Sequence, residues 1–281
     1  MKKLSFAAAI IGAMLAMSPG AEGADLRPMY KAAPPPPPVY NWTGCYLGLG
    51  GGWGKYDEAS ELVVVQALPG IPANTTFVNG ITQGASGWLA TAQAGCDLQI
   101  GGPFGRGIVI GAFVDGDWAD INGRHTGGNV NIGLQQGQET LRSSWAVGGR
   151  VGWTVLPQLL TYVSGGYTEA RFDSVNYVSA LFNNIGAPTG LQLPGRTHQG
   201  WFIGGGAEYA IGWLPGLFWK NEYRWAQYDS RQDVVNCTSA ALCGVLGPTA
   251  FAERNRPSVQ TVRSELVWRF NWGGGPVTAR Y

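Results

Sequence analysis

The segment GIVIGAFVDGDWA, residues 107–119, decides the fold because apolar and charged side chains alternate along it. Its apolar set is Ile108, Ile110, Ala112, Val114 and Trp118. Asp115 and Asp117 occupy the opposite parity. Successive side chains of a β-strand point to opposite faces. The segment therefore predicts a strand with one apolar face and one charged face.

Seven further segments have a similar alternating character: 43–55, 87–101, 140–155, 159–171, 199–213, 217–228 and 258–272. The connections between the eight segments are long and short in turn. The long ones are 56–86, 120–139, 172–198 and 229–257, and the short ones are 102–106, 156–158 and 214–216. This sorting is typical of outer-membrane barrels. It predicts an all-β fold: an eight-stranded antiparallel up-and-down transmembrane β-barrel with short periplasmic turns and four long outer loops.

The composition supports strands rather than helices. The chain has 281 residues, with 44 glycines and 12 tryptophans, and only 13% of its residues are charged. The glycines lie inside the apolar segments, where each would cost a helix about 1 kcal/mol relative to alanine. No apolar run after the N-terminal region reaches the roughly 20 residues of a membrane-spanning helix. A helical architecture is therefore disfavoured.

The N-terminus has the features of a secretory signal peptide. Lys2 and Lys3 precede the apolar run 4–17, and small residues follow it. This arrangement predicts a signal peptide at 1–23 and a mature chain that begins at Ala24. The protein is therefore expected to leave the cytoplasm, and the barrel pattern predicts the bacterial cell outer membrane as its location.

The rest of the chain divides into three parts. Residues 24–41 contain a proline run and predict an extended periplasmic linker. The barrel follows at 42–272, and 273–281 form a C-terminal extension. Without the signal peptide the chain has 17 basic and 17 acidic residues. This balance argues against a nucleic-acid partner.

The charged residues within the strands share one parity in every segment that has more than one of them. Only Lys55 breaks the parity, and it lies past Trp53, where the first long connection begins. The charges that share the parity are Asp97, Asp115, Asp117, Arg142, Arg150, Glu169, Arg171, Glu208, Lys220, Glu222, Arg224, Arg263, Glu265 and Arg269. If the charged face pointed outward, the tryptophan-rich apolar face would line the interior. If the charged face points inward, the apolar face contacts lipid, and no strand charge except Lys55 occupies the lipid face, where a charge is costly. We therefore predict a lumenal network of seven acids and seven bases.

The network is expected to plug the barrel. Eight strands leave an interior just wide enough for side chains to fill, and Tyr46 and Phe113 also point into it. Glu222 and Arg263 are expected to meet across neighbouring strands, as opposite charges do in a sheet. We also expect Asp115 and Asp117 to meet Arg142 and Arg150 across the third and fourth strands.

One strand fits the parity rule poorly. In segment 159–171 the rule places Ser164 and Thr168 on the lipid face and turns Val163 and Tyr167 inward. A β-bulge, which shifts the register by one residue, is the alternative for this strand.

The 12 tryptophans lie near the two ends of the predicted strands. On the short-turn side or near the termini are Trp42, Trp153, Trp213, Trp219, Trp268 and Trp272. On the long-loop side are Trp53, Trp88, Trp118, Trp145, Trp201 and Trp225. Outer-membrane barrels have aromatic girdles at both membrane interfaces. The distribution predicts two such girdles.

The four cysteines suggest two disulfides in an exported protein. Cys237 and Cys243 are six residues apart in the last long connection. Cys45 and Cys96 lie on the lipid face of adjacent strands, and the strand register decides whether they are close enough to pair. The alternative is that all four are small apolar fillers.

Several motifs together resemble the RopB-like outer-membrane surface proteins of alphaproteobacteria, within the wider OmpA-like barrel group. They are Asn41-Trp42-Thr43-Gly44-Cys45-Tyr46-Leu47-Gly48, Gln93-Ala94-Gly95-Cys96-Asp97, Val114-Asp115-Gly116-Asp117-Trp118-Ala119-Asp120, Gly200-Trp201, Glu208-Tyr209, Lys220-Asn221-Glu222-Tyr223 and Val267-Trp268-Arg269-Phe270. The resemblance covers nearly the whole mature chain and implies an eight-stranded, surface-exposed structural protein. Cys45 and Cys96 depart from the family, which commonly has aromatic residues there. Either Phe270 or Tyr281 is the terminal aromatic read by the barrel-insertion machinery.

The sequence predicts no catalytic, cofactor or metal site. His125 and His198 lie in different predicted loops, and the pair Asp115 and Asp117 is accounted for by lumenal arginines. The leading hypothesis is a structural protein that supports the envelope and displays loops to lipopolysaccharide, host or neighbouring molecules. A small diffusion pore is the alternative, and a loop-borne lipid-modifying enzyme is the third. Outer-membrane lipid is the expected surrounding, and both monomer and oligomer stay open.

Overall fold

The computed structural model describes residues 40–101, 107–129, 133–181 and 184–270. Several predicted features lie outside these residues: the signal peptide, all of the linker except residues 40–41, the turn 102–106, Trp272 and the C-terminal extension. Among the described residues, no helix is long and apolar enough to cross a membrane.

The described residues form eleven strands and one short helix. The first strands are β1 (Gly44–Val64), β2 (Thr75–Ile100), β3 (Ile108–Asn129), β4 (Gly133–Leu156), β5 (Leu159–Phe172) and β6 (Val175–Ser179). The remaining elements are β7 (Pro188–Leu193), β8 (Arg196–Ala210), β9 (Leu217–Tyr228), β10 (Arg231–Cys237), α1 (Ala240–Cys243) and β11 (Gly247–Phe270). The fold is all-β, and every strand pair is antiparallel.

Eight of the strands close into a ring. The order is β1, β2, β3, β4, β5, β8, β9 and β11, and β11 pairs back with β1. Cys45 on β1 lies opposite Phe270 on one side and Cys96 on the other. Glycine permits close approach here, because a Cβ on Gly50 would lie 2.1 Å from the carbonyl oxygen of Ser264.

The ring continues well past the eight predicted segments, so the prediction of four long loops is wrong over much of their length. β5 continues into β6 after residues 173–174, β7 into β8 after 194–195, and β9 into β10 after 229–230. Beyond these breaks, β6, β7 and β10 take the places of β5, β8 and β9 between β4 and β11. We call this part of the ring the extension, its outer limit the tip end, and the opposite limit the short-turn end.

Inward and outward faces follow the predicted parity on most strands, and burial distinguishes them. Three of the predicted lumenal charges, Arg142, Glu169 and Arg171, instead lie outside the ring. The register of β4 against β5 shifts between Leu141 and Ser143. This bulge turns Arg142 outward while Arg150, of the same parity, stays buried.

The parity of β5 is the reverse of the prediction. Ser164 and Thr168 are buried inside the ring, and Val163 and Tyr167 are exposed outside it. Glu169 faces outward with them, but it pairs in register with Trp145 at the tip-side edge of the apolar surface. The outward charges of β5, Glu169 and Arg171, therefore lie at the level of Trp145 or farther towards the tip end. The inward face of β5 carries the hydroxyl groups of Ser164 and Thr168.

Candidate functional site

The outer surface of the ring carries a belt of exposed apolar side chains. Representative members are Leu49, Ile110, Val114, Val147, Val163, Ile203, Val262 and Leu266. Leu49 is 69% exposed, although leucine in a water-soluble protein is commonly buried. Soluble monomers rarely expose a continuous apolar surface of this extent.

Tryptophans border the belt on both sides. The tip-side row consists of Trp53, Trp88, Trp118, Trp145, Trp201 and Trp225. The row at the short-turn end consists of Trp153, Trp213, Trp219 and Trp268. Trp53 and Trp88 are direct neighbours across β1 and β2, and the rings of Trp201 and Trp225 meet edge to face at 5.1 Å.

Trp42 does not belong to either row, which corrects its predicted place in a girdle. Its side chain is fully buried inside the ring, with its ring centroid 5.0 Å from that of Phe218. The indole Nε1 donates to the carbonyl oxygen of Pro157 at 3.3 Å. Trp42 lies two residues before β1 and fills the short-turn end of the ring.

A first interior network surrounds Trp42. Arg269 donates to Asp97 at 2.7 Å and to Glu208 at 2.8 Å. Arg150 binds the same two carboxylates, through Nε to Asp97 at 2.9 Å and through Nη1 to Glu208 at 3.2 Å. The two guanidinium groups thus share two carboxylates, and the Arg150 guanidinium also lies 4.5 Å from the ring centre of Tyr46.

A second network fills the middle of the ring. Arg224 makes two parallel hydrogen bonds to Asp115, at 3.0 and 2.7 Å, and also donates to Glu222. Lys220 lies 3.1 Å from Glu265 on the adjacent strand. These side chains come from β3, β9 and β11, so the contacts run both along the wall and across the lumen.

The predicted pair of Glu222 and Arg263 is corrected by the structure. The two residues are opposite each other in the register of β9 and β11. However, Arg263 reaches across the lumen to Asp115 at 3.2 Å and to Asp117 at 2.5 Å. Arg150 likewise binds Asp97 and Glu208 rather than the aspartates of β3. The arginine side chain is long enough to cross this narrow interior. Arg263 therefore binds carboxylates on the far side of the lumen and not its register partner on the neighbouring strand.

A third network, which was not predicted from the sequence, lies in the extension, beyond the tip-side tryptophans. The two ring nitrogens of His125 contact Glu139 Oε2 at 3.0 Å and Glu253 Oε2 at 2.8 Å. Arg196 donates to Glu58 Oε1 at 3.1 Å and also to Glu139 Oε1. All five side chains are buried. We call these five residues the extension cluster.

The neighbours of the extension cluster determine its electrostatics. Burial and the charge of Glu139 raise the pKa of Glu58 to about 8. Burial opposes the charged form of His125, but its hydrogen bonds to Glu139 and Glu253 outweigh this and raise its pKa to about 10. Burial also opposes ionisation of Glu139, yet His125 and Arg196 lower its pKa to about 2. The cluster therefore attracts positive charge at its centre.

One part of the cluster has the spacing of a metal site. Glu58, His125 and Glu139 each offer a ligand atom, and these atoms lie within 4.8 Å of one another. All three residues lie in connections that were predicted to be long loops, 56–86 and 120–139. The available signal was the alternation of Tyr56, Glu58 and Ser60, which all point into the ring.

Both candidate disulfides are present. Cys45 and Cys96 join β1 to β2 near the short-turn end, with their Cα atoms 3.9 Å apart. Cys237 and Cys243 join the end of β10 to α1, with their Cα atoms 5.9 Å apart. The second bridge closes a short loop at the tip end of the extension.

Comparison with known proteins finds relatives of the outer membrane. The chain is 28% identical over 239 residues to the 31 kDa outer-membrane immunogenic proteins of Brucella melitensis and Brucella suis. Each match covers 81% of this chain and 89% of the relative. No family model matches the chain.

Solved structures with a similar arrangement have low sequence identity to the chain. OprG from Pseudomonas aeruginosa aligns with a TM-score of 0.41 and 11% identity, over 82% of this chain and 98% of that one. Ail, the attachment invasion locus protein of Yersinia pestis, aligns with a TM-score of 0.33 and 8% identity, over 80% and 99%. From the Brucella relatives, the chain is a bacterial outer-membrane surface protein, and its resemblance to alphaproteobacterial outer-membrane proteins is confirmed.

Proposed function

We propose that the chain is a structural outer-membrane protein: a closed eight-stranded transmembrane β-barrel that supports the envelope and presents its extension at the cell surface. The observation that carries the proposal is the filled interior. Eleven of the predicted lumenal charges lie inside the ring and are buried, as is Trp42 at the short-turn end. Because buried ion pairs cross the lumen and fill it, a structural role is favoured over that of a diffusion pore.

The outer belt supports the membrane placement. On β1 the apolar stretch runs from Cys45 to Trp53, about the 9–11 residues that a tilted strand needs to cross a bilayer. Arg142, Glu169 and Arg171 lie at or beyond the tip-side tryptophans, where the cost of an outward charge falls. Outer-membrane lipid is therefore the proposed partner of the belt.

The extension supports the surface role. It carries the exposed tips 65–74 and 238–246, and its water-facing strands bear charges such as Arg254 and Glu61, which pair at 3.4 Å. Lipopolysaccharide, host molecules and neighbouring proteins are the proposed contacts. Phe270 ends β11 and is 43% exposed, which favours it as the residue read by the insertion machinery, while Tyr281 lies outside the described residues.

Conductance in a planar bilayer tests the structural role. Wild-type protein, shown to be folded by its heat-modifiable migration on a gel, is expected to give no stable single-channel steps. A variant with Asp115, Arg224 and Arg263 all changed to alanine should conduct, because it removes the cross-lumen contacts. The matched control changes Glu169 and Arg171, outside the ring, to alanine and should stay silent. Large, stable steps from the wild type would instead establish a diffusion pore.

A further inference from the structure

The extension cluster contains a histidine and three carboxylates that the structural role does not use. Glu58 comes from β1, His125 from β3, Glu139 from β4 and Glu253 from β11. At these positions β1 pairs with β2 and β11, β3 pairs with β4, and β11 pairs with β1 and β10, so the sheet holds the four side chains in place. Such a site is rigid and lies beyond the belt that faces lipid.

We propose that Glu58, His125 and Glu139 bind a divalent transition-metal ion of the Zn²⁺ class inside the extension. Their ligand atoms lie within 4.8 Å of one another, as the ligands of one ion do. Imidazole nitrogen and carboxylate oxygen are both usual ligands of Zn²⁺. Ca²⁺ and Mg²⁺ prefer oxygen ligands alone, so the histidine favours a transition metal.

The surroundings of His125 match the second layer of a metal site. A histidine that ligates a metal through one nitrogen usually donates its other N–H to a carboxylate. Glu253 Oε2 lies 2.8 Å from His125 Nε2, which leaves Nδ1 facing Glu139 Oε2 at 3.0 Å and the side-chain amide of Gln83 at 3.3 Å, and a bound ion would displace that amide. Glu253 is held in turn by the hydroxyl of Tyr177, which donates to its Oε1 at 2.7 Å. The hydrogen bonds therefore present Nδ1 as the ligand atom.

Glu58 supplies an independent indication of a ligand. Its side chain is fully buried and its Oε1 accepts from Arg196, while among the described residues no N–H or hydroxyl donor reaches Oε2 and the neighbouring carboxyl of Glu139 is its hydrogen-bonding contact. A buried carboxylate oxygen without such a donor is costly. Coordination of a cation would satisfy this oxygen.

The charge of the cluster also fits a divalent ion. With a neutral His125, the carboxylates of Glu58, Glu139 and Glu253 carry three negative charges, and Arg196 carries one positive charge. The remaining charge of −2 is the amount that one divalent ion neutralises. Without the metal, one proton on His125 and one on Glu58 supply these two positive charges, so binding of the ion releases both protons.

Metal binding to the tag-free mature protein tests the proposal. The chelator-treated protein is folded in detergent micelles and dialysed against Zn²⁺, and bound metal is counted by mass spectrometry. We expect one Zn²⁺ per chain for the wild type. His125→Gln should weaken binding at least 100-fold, and Glu58→Gln about 10- to 100-fold. The matched control is His198→Gln, which removes the chain's other histidine and should bind like the wild type.

A second measurement does not depend on the folding of any variant. In wild-type protein with ¹⁵N-labelled histidine, Zn²⁺ should shift the ring-nitrogen signals of His125 and leave those of His198 in place. Failure of the wild type to bind Zn²⁺, equal binding by folded His125→Gln protein, or a shift at His198 alone would overturn the proposal. None of these outcomes bears on conductance, so the metal site and the structural role stand or fall separately.

Discussion

The arginines in the middle of the ring bind carboxylates across the lumen, whereas Lys220 pairs with Glu265 on the neighbouring strand. Arg263 faces Glu222 in the sheet register but pairs with Asp115 and Asp117 on the other side of the interior. A buried charge that loses its partner costs about 3–5 kcal/mol. The lumen is therefore stabilised by contacts that connect strands far apart in the sheet order.

A double-mutant cycle tests this pairing. Arg263→Gln and Asp117→Asn should each lower the free energy of unfolding, by up to about 3–5 kcal/mol. The double variant should lose at least about 1 kcal/mol less than the sum, because residues in one ion-pair network are coupled. Urea unfolding in lipid vesicles measures all three. Arg263→Gln combined with Asp97→Asn is the control, since Asp97 pairs with Arg150 and Arg269, and additive losses are expected. Additivity for Asp117 would contradict the cross-lumen contact.

His198 predicts a pH dependence of stability. Burial, reinforced by the charge of Arg196, lowers its pKa to about 4 from the ordinary value of 6.5. The folded protein then binds this proton less well than the unfolded chain does. The stabilisation is present above pH 6.5 and is lost as the pH falls from 6.5 towards 4. The loss is at most about 3 kcal/mol, by the usual conversion of a pKa shift.

The histidine substitution isolates this effect from the carboxylates. Unfolding of the wild type and of His198→Gln is compared at pH 7.5 and pH 4.5. The wild type should lose more stability than the variant over this interval. If both lose the same amount, His198 is protonated in the folded state and the expected pKa is wrong.

At the scale of the strands, glycine makes room for an aromatic ring inside the lumen. Gly148 on β4 and Gly166 on β5 are register partners, and the ring of Phe202 lies over them. A Cβ at Gly166 would lie 2.2 Å from the carbonyl oxygen of Val147 and 3.0 Å from the Phe202 ring. The close approach of the two strands therefore depends on the missing side chains.

Alanine at these positions tests the packing. Gly166→Ala is expected to lower the free energy of unfolding by about 1–3 kcal/mol, the usual cost of overpacking. Gly116→Ala is the matched control on β3, because a Cβ there has nothing within 4 Å. Chemical denaturation of both variants measures the difference. Equal stability of the two would mean that β4 and β5 can move apart without cost.

The strands within the belt were predictable from the sequence, and the extension was not. Around the belt, lipid requires apolar residues outside while the lumen holds charges, so the two faces differ sharply, as at Val114 and Asp115. Beyond Trp53, water contacts the outer face, and inward residues such as Glu58 are polar as well. Because both faces of a strand are polar there, the alternation of apolar and charged residues disappears. The sequence of a paired strand then resembles that of a loop. The bulge at Arg142 could not be predicted from the alternation either. A bulge shifts the parity of the residues beyond it, and the parity rule assumes a regular strand.

The whole molecule combines two environments in one continuous ring. Between the two tryptophan rows its outer surface is apolar, and beyond the tip-side row the same strands carry outward charges such as Lys55, which pairs with Asp57 at 3.0 Å. The interior holds buried charged side chains at every level, from Arg269 near the short-turn end to the extension cluster, among buried aromatic rings. The polarity of the outer surface therefore changes with depth in the membrane, whereas the interior carries charged groups throughout.

This division predicts that an outward charge has a cost that depends on its depth. Leu49 and Ala59 share the outward face of β1, on either side of Trp53, and both are exposed. Leu49→Arg should lower the free energy of unfolding in lipid vesicles by about 2–4 kcal/mol, because it places a guanidinium near the middle of the bilayer. Ala59→Arg should cost no more than about 1 kcal/mol, since it lies beyond the interface. Neither variant is expected to stay monomeric in water without detergent, because both keep most of the exposed apolar belt. Equal costs of Leu49→Arg and Ala59→Arg in lipid vesicles would contradict the placement of the belt in the membrane.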